Sequence, residues 1–119
     1  MQLDLTVLPD RLAVCRLPHD APAPSWAAGA FVSVTRTNEE LSVVCSEENV
    51  PDGVTAERGW RCLKIEGPLD FALTGVLAEL VVPLAEAEIS VFAIATYDTD
   101  YLLVREDRLE EARAALARV

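Results

Sequence analysis

Alternation of apolar and polar positions is the dominant pattern along this chain, and it predicts a sheet-rich protein. Two segments show it most clearly, residues 31–45 and residues 89–104. In the second segment the alternation runs from residue 89 to residue 94 and resumes over residues 101–104. Branched and aromatic residues in a period of two are typical of β-strands. We therefore predict a hairpin whose acidic turn contains Asp98, Thr99 and Asp100.

The first segment predicts a second hairpin of similar sequence. Its strands are residues 31–36 and 41–45, joined by Thr37-Asn38-Glu39-Glu40. Aligned sixty positions apart, the two hairpins match in residue type at several places, including Glu40 over Asp100. Because strands with a period of two resemble one another by chance, the match is only suggestive of an internal repeat.

Turn-forming residues separate the other predicted strands. Residues 3–8 and 12–17 are predicted as two strands parted by Pro9-Asp10, and residues 60–66 as another strand. The segment between residues 18 and 29 is rich in proline and leaves room for only a short helix. Residues 46–59 are predicted as a connector with at most one helical turn.

Two segments with a period of 3.6 predict helices. The apolar stripe of the first consists of Leu73, Val76, Leu77, Leu80, Val81 and Leu84, with Pro83 expected to bend or end the last turn. The stripe of the second consists of Leu109, Ala112, Leu116 and Val119, preceded by Glu106 and Asp107. The second half thus has the order β-α-β-β-α, one strand short of a ferredoxin-like βαββαβ unit, and the N-terminal half can supply that strand.

Composition and charge narrow the classes of partner. The 119 residues suit one domain or two very small ones, and 51% hydrophobic residues suffice for an ordinary core. Twenty acidic against ten basic residues give a net charge of −10, which repels nucleic acid and anionic membrane surfaces. The longest apolar run, residues 71–85, is too short to span a bilayer. Since the start lacks signal-peptide features, we expect a cytoplasmic protein.

Residues that carry catalytic or metal chemistry are sparse. Cys15, Cys45 and Cys62 lie in predicted strands at wide spacings without CxxC pairs or neighbouring histidines, which favours buried structural thiols over metal ligands or nucleophiles. His19 lies in a proline-rich loop outside any nucleophile pattern. We therefore expect no catalytic residue, no metal and no cofactor, and a protein that is not an enzyme.

Several runs resemble a known family. The segments GPLDFALTGVLAELVVPLAEAEISVFAIATYDTDYLLV and REDRLEEARAAL, together with LAVCRLP, FVSVTRT and LSVVCSEENV, resemble the ACT domain family, in the tandem branch that includes the CASTOR arginine sensor and small bacterial relatives. The resemblance implies an α+β fold of two ferredoxin-like units packed together, with antiparallel sheets and helices on one face. It implies an N-terminal ACT-like unit in residues 1–58 and an ACT domain in residues 59–119.

The same resemblance implies a ligand site at the start of the first long helix. The matching segment contains Asp70, Leu73, Thr74 and Gly75. Helix N-termini present free amide donors, which suits the α-carboxylate of an amino acid. Two readings stay open for two of these residues. Gly75 either lets a ligand approach or permits close packing of helix on sheet, and Asp70 either contacts the ligand or caps the helix.

Asp100 corresponds, by the resemblance, to an acidic residue that faces a cationic ligand, and Asp98 lies in the same turn. An ion pair at about 4 Å is worth about 4 kcal/mol before desolvation at an effective dielectric of about 20. One buried carboxylate is therefore able to select an ammonium or guanidinium group. The alternative is that Asp100 is a solvated turn residue.

Two functional hypotheses follow. The first is a small regulatory protein that binds a free amino acid between ACT units, within the chain or across a homodimer, and acts in trans on a protein partner. The second is a ligand-free interaction module that forms homo-oligomers through exposed strand edges or helix faces.

Overall fold

Residues 4–66 and 75–117 are described by the computed structural model, and they contain six β-strands and two α-helices. The strands are β1 Leu5–Leu17, β2 Ser33–Arg36, β3 Leu41–Ser46, β4 Thr55–Ile65, β5 Phe92–Ala95 and β6 Asp100–Arg105. The helices are α1 Val76–Glu86 and α2 Leu109–Leu116, and short 3-10 turns occupy Glu47–Asn49 and Glu106–Arg108.

The chain divides into two units. The C-terminal unit combines Met1–Pro9 with Arg61–Val119, and the N-terminal unit is Asp10–Trp60. The long strands β1 and β4 each contribute one part to each unit. The first nine residues thus belong with the C-terminal half of the sequence, while the assignment of residues 1–58 and 59–119 to two domains stays a prediction.

Antiparallel strands build the N-terminal unit in the order β2-β3-β1-β4. Leu12 to Leu17 of β1 pair with Ser46 to Leu41 of β3, and β2 pairs with β3 on its other side. The buried core consists of Ala13, Cys15, Leu41, Val43, Cys45 and Val50, covered by Ala21, Trp26 and Ala27 from the loop after β1. Asp10–Trp60 is fully described and contains no α-helix, so this unit is not shown to be ferredoxin-like.

The C-terminal unit has the strand order β1-β4-β6-β5, with α1 between β4 and β5 and α2 after β6. The first strand of the chain therefore lies beside β4 and completes the β-α-β-β-α series, as the sequence predicted. Its core consists of Leu63, Ile65, Leu80, Leu84, Ile89, Leu102, Val104, Leu109, Ala112 and Leu116. These residues place α1 and α2 on the same face of the strands.

Helix α1 buries a narrower stripe than its sequence predicts. Val76, Leu80 and Leu84 are buried at intervals of four residues, whereas Leu77 is 39% exposed. Each residue turns the helix by about 100°, so the side chain after Val76 already points away from the sheet. Leu73 lies outside the described residues, as does Val119 of the second helix.

Pro83 does not end α1, contrary to one of the two predicted outcomes. The helix continues to Glu86 and closes with a left-handed residue, Glu88, at φ 59°. The amide of Glu88 donates to the Ala85 carbonyl at 2.9 Å, and the amide of Ile89 donates to the Leu84 carbonyl at 2.9 Å. This is the hydrogen-bond pattern of a Schellman motif, which satisfies the last carbonyls of the helix.

Several predicted strand boundaries are wrong. The strands predicted from residues 31 and 89 begin later, at Ser33 and Phe92, and Asp100 begins a strand where a turn was predicted. Residues 5–17 form one continuous strand through Pro9, because a proline φ near −65° is compatible with extended backbone and only one donor is lost. Strand β4 begins at Thr55, five residues before the predicted start at Trp60.

Candidate functional site

The turn between β5 and β6 is closed by two threonines. The amide of Thr96 donates to the Thr99 carbonyl at 3.0 Å, and the Thr96 hydroxyl donates to the same carbonyl at 2.7 Å. The amide of Thr99 in turn donates to the Thr96 hydroxyl at 3.4 Å. Hydroxyl-to-backbone bonds of this kind fix a turn in one conformation.

Thr99 also anchors this turn to the neighbouring strand. Its hydroxyl donates to the carbonyl of Ile65, the last residue of β4, at 2.7 Å, and its side chain is only 4% exposed. The turn is therefore held against the point where the chain leaves β4 towards α1. Sequence reasoning gave Thr99 no role, since the signal lay in a tertiary contact.

Asp100 begins β6 on the side of the strand that faces the helices. It pairs with Ala95, and two steps along the ladder Leu102 pairs with Ala93. Because side chains alternate along a strand, Asp100 shares its face with Leu102 and Val104 of the core. It is half-buried. Within residues 4–66 and 75–117 its carboxylate accepts no hydrogen bond and forms no ion pair.

Asp98 has the surroundings of a solvated turn residue. It is exposed, and it follows Tyr97, whose side chain is 81% exposed. The two predicted acids are therefore in different environments, although only one residue separates them. Of the two, only Asp100 is partly buried, so a bound cation would offset a loss of hydration at Asp100 but not at Asp98.

The two hairpins have the same turn construction. In the hairpin of β2 and β3, the Thr37 amide donates to the Glu40 carbonyl at 2.9 Å, and the Thr37 hydroxyl accepts from the amides of Glu39 and Glu40. Arg36 pairs with Leu41 across that turn, as Ala95 pairs with Asp100 across the other. The structural counterpart of Asp100 is thus Leu41 rather than Glu40, and the sixty-residue alignment was wrong by one position.

Gly75 is placed at the start of α1 by its backbone conformation. Its φ of 78° lies in the left-handed region, and its carbonyl accepts from the Glu79 amide at 2.9 Å. No atom of the described residues outside its chain neighbours lies within 4 Å of the position that a Cβ would occupy. Close packing against the described sheet is therefore not the reason for this glycine, whereas the positive φ favours it.

The other predicted residues of this segment, Asp70, Leu73 and Thr74, lie outside the described residues. Among the residues that are described, no hydrogen bond joins Gly75 to Asp100. Of the predicted site, the structure therefore describes the start of α1 at Gly75 and the half-buried carboxylate of Asp100, without a contact between them.

The three cysteines are buried free thiols, as predicted. Burial raises the pKa of Cys62 to about 12, and burial together with the neighbouring Cys45 raises the pKa of Cys15 to about 11, with Arg58 opposing. Burial likewise raises the pKa of Cys45. All three are therefore neutral near pH 7 and poor nucleophiles.

The described part of the chain offers no candidate metal site. Residues 4–66 and 75–117 contain no group of three or more His, Cys, Asp or Glu side chains that is arranged to hold a metal ion. His19 is exposed, and its carbonyl accepts a hydrogen bond from Arg36.

The chain belongs to the ACT domain family. A sequence model of the ACT domain matches residues 55–118, more than half of the chain. A second model, described as an N-terminal domain, matches residues 10–53. The two matched ranges meet within a few residues of the end of the N-terminal unit.

Among curated proteins, the chain is similar to subunit 1 of the cytosolic arginine sensor for mTORC1. The Homo sapiens protein is 40% identical over 98 residues, covering 73% of this chain and 30% of that protein. The Bos taurus protein is 33% identical over 99 residues, covering 74% of this chain and 30% of that protein. The chain thus spans about a third of the length of these relatives.

Solved structures show the same fold. A protein from Agrobacterium tumefaciens is 38% identical, with a TM-score of 0.94 over 99% of this chain and 89% of that one. The ligand-free regulatory subunit of aspartate kinase from Thermus thermophilus is 13% identical, with a TM-score of 0.66 over 97% of this chain and 96% of that one. At that low identity the second match supports the fold alone.

Neither α1 nor α2 has the length and hydropathy that a membrane-spanning helix requires, and the rest of the described chain contains no other α-helix.

Proposed function

We propose that this protein is a small regulatory ACT-domain protein that binds a free amino acid, with Asp100 facing the cationic group of the ligand. The observation that carries the proposal is the position of Asp100 on the core side of β6. A half-buried carboxylate without a partner among the described residues is a costly group, and a ligand ammonium or guanidinium offsets that cost.

Relatives support a cationic ligand. The curated proteins that resemble this chain are named as arginine sensors. Arginine carries a planar guanidinium that forms paired hydrogen bonds with a carboxylate, and lysine carries an ammonium that interacts as a point charge. We propose that the site takes an amino acid with one of these two groups.

The α-carboxylate of the ligand is assigned to the start of α1. Gly75 begins an eleven-residue helix, whose first amides are free of intrahelical partners. Such a terminus stabilises an anion by about 0.3–1 kcal/mol, and by up to about 2 kcal/mol when partly buried. Asp70, Leu73 and Thr74 belong to this proposed part of the site, with Asp98 at its solvent side.

Regulation in trans completes the proposal. The protein would act on a partner without catalysing a reaction, as a homodimer of chains that each carry an ACT-like unit in residues 1–58 and an ACT domain in residues 59–119. The ligand would lie at an interface between such units. The relatives named as cytosolic support a location in the cytoplasm.

Thermal unfolding in the presence of single amino acids tests the proposal. A ligand at 100 times its dissociation constant adds about 2.7 kcal/mol to the stability of a one-site protein. We expect arginine or lysine to raise the melting temperature, and Asp100→Asn to remove that rise. Asp98→Asn, which makes the same chemical change at the exposed neighbouring acid, is the matched control and keeps it.

A flat response to all twenty amino acids would contradict amino-acid binding. A full response in Asp100→Asn would contradict the assignment of the site while leaving amino-acid binding intact.

A second candidate function rests on the edge strand β2. This strand is the outermost one in the strand order of the N-terminal unit. Val34 within it is 44% exposed, and Val32, just before it, is 42% exposed. An apolar edge with unpaired backbone groups is suited to self-association. Sedimentation of the wild type and of Val34→Lys, each with and without arginine, tests this function. A dimer that dissociates on substitution and does not respond to arginine supports the ligand-free interaction module.

A further inference from the structure

A groove runs along α1 and is bordered by α2. Its volume is about 600 Å³, and it is lined by Ala78, Glu79, Val82, Pro83, Glu86 and Ala87, with Ala115 of α2 as one wall. All of these residues belong to the C-terminal unit. Ala78 and Val82 lie on the side of α1 opposite the buried stripe, and Pro83 and Ala87 lie next to that stripe.

The floor of the groove is apolar and open. Val82, next to Pro83 in the lining, is 52% exposed. Ala78 lies one turn before Val82 on the same side of the helix, because residues four apart are neighbours on a helix surface. Ala115 on α2 is half-buried. The short side chains of the two alanines leave the space that larger residues would fill.

The rim of the groove is acidic. Glu79 and Glu86 are exposed and seven residues apart, so they lie on one side of α1 about 10 Å apart along its axis. Neither carboxylate forms an ion pair with a described residue. Two arginines of this unit are already engaged, since Arg108, just before α2, pairs with Glu111 at 3.0 Å and Arg113 of α2 pairs with Glu110 at 3.5 Å.

We propose that this groove binds a basic amphipathic helix of a partner protein. One apolar side chain of that helix would lie over Val82, and two lysine or arginine residues seven positions apart would pair with Glu79 and Glu86. Helices that dock in grooves use anchors at such helical spacings. The proposal is independent of amino-acid binding at Asp100, because the two sets of residues do not overlap.

Charge argues against a second copy of this chain as the occupant. A two-fold contact through the groove would bring Glu79 and Glu86 of each chain together, and each chain carries a net charge of −10. Like charges across an interface oppose association, whereas a basic segment is attracted.

Two synthetic helical peptides test the groove by fluorescence anisotropy. Both carry leucines at a spacing of four residues, and the flanking positions seven apart are lysine in one peptide and glutamate in the other. We expect the lysine peptide to bind and the glutamate peptide not to bind. Glu79→Gln combined with Glu86→Gln weakens binding about fivefold, the sum expected for two exposed ion pairs.

Matched variants distinguish binding in the groove from effects of the net charge or of exposed valines elsewhere in the protein. Glu39→Gln combined with Glu48→Gln removes the same charge from exposed residues of the N-terminal unit and leaves peptide binding unchanged. Val82→Ser weakens binding at least about threefold through lost apolar burial, whereas Val34→Ser, at another exposed valine, does not.

Equal binding of the two peptides, or undiminished binding by the glutamate variants, overturns the proposal. It is also overturned if the wild type sediments as a dimer that Val82→Ser dissociates, because a second copy then occupies the groove.

Discussion

The two hairpins of this protein share a turn and differ in the residue that follows it. In each, a threonine hydroxyl and amide close a four-residue turn, Thr37 to Glu40 in one and Thr96 to Thr99 in the other. The next residue is Leu41 in the N-terminal unit, with no exposed surface, and half-buried Asp100 in the C-terminal unit. One backbone frame thus supports core packing in one place and a carboxylate in the other.

The difference is the basis for the ligand site that we propose in the second hairpin. Leucine at such a position gains apolar burial, whereas a partly buried carboxylate loses hydration and gains nothing from the described residues around it. A carboxylate that lowers the stability of the free protein can be stabilised by a cationic ligand when one binds. The Thr99 hydroxyl adds a further difference, since it fixes the second hairpin to β4.

Exchanging the two residues tests the comparison, and Leu41→Asp should have the largest effect. A carboxylate at this fully buried position has no cation to pair with in the surrounding apolar core. We expect the free energy of unfolding to fall by about 3–5 kcal/mol, measured by urea denaturation. A loss below about 1 kcal/mol would show that the position tolerates charge, and the comparison would fail.

Removal of the anchor between turn and strand should have the next largest effect. Thr99→Val leaves the Ile65 carbonyl without its hydroxyl donor and lowers the free energy of unfolding by about 1–3 kcal/mol. Thr37→Val, which removes only turn bonds in the other hairpin, is the control and costs about 0.5–1.5 kcal/mol. A loss below about 0.5 kcal/mol in Thr99→Val would mean that the anchor contributes little, because the turn bonds of Thr99 use only its backbone atoms and survive the substitution.

Asp100→Leu should change the stability of the free protein least. The substitution replaces an unpaired, half-buried carboxylate with the residue type found at the matching position of the other hairpin. We expect a gain of no more than about 1 kcal/mol in the free energy of unfolding, because the substitution removes the cost of the unpaired carboxylate. A loss of several kcal/mol would reveal a structural role for the carboxylate.

Burial of the thiols predicts a loss of stability at alkaline pH that is absent at neutral pH. The folded-state pKa of Cys62 is about 12 and that of Cys15 about 11, both above the ordinary value of 9.0. The folded protein therefore holds these protons more tightly than the unfolded chain, so their stabilisation is complete below pH 9 and is lost between about pH 9 and pH 12. Urea denaturation across that range should show a smaller decline in Cys62→Ala, and an equal decline would contradict it.

Periodicity was enough to predict most of the elements. Strands, the two helices and both hairpins follow from alternation and from 3.6-residue spacing, and the supply of a strand to the C-terminal unit from the start of the chain followed from counting elements. Pro9 and Pro83 were less informative, since extended backbone and the last turns of α1 both accommodate a proline here.

What the sequence did not reveal depends on tertiary contacts and on register. A one-residue slip in alignment exchanges the faces of a strand, so matching Glu40 with Asp100 by type concealed Leu41 as the true counterpart. The bond from Thr99 to Ile65 spans 34 positions and has no local signal. The N-terminal unit covers its core with a loop containing Trp26, where a second ferredoxin-like unit would require helices.

Calorimetric titration with arginine and with citrulline, its neutral analogue of the same shape, tests the central claim that the Asp100 carboxylate selects a cation. The account predicts that the wild type binds arginine at least about tenfold more tightly than citrulline, a difference of about 1.4 kcal/mol, and that Asp100→Leu abolishes the preference. An unchanged preference for arginine in Asp100→Leu, with the fold intact, would contradict it.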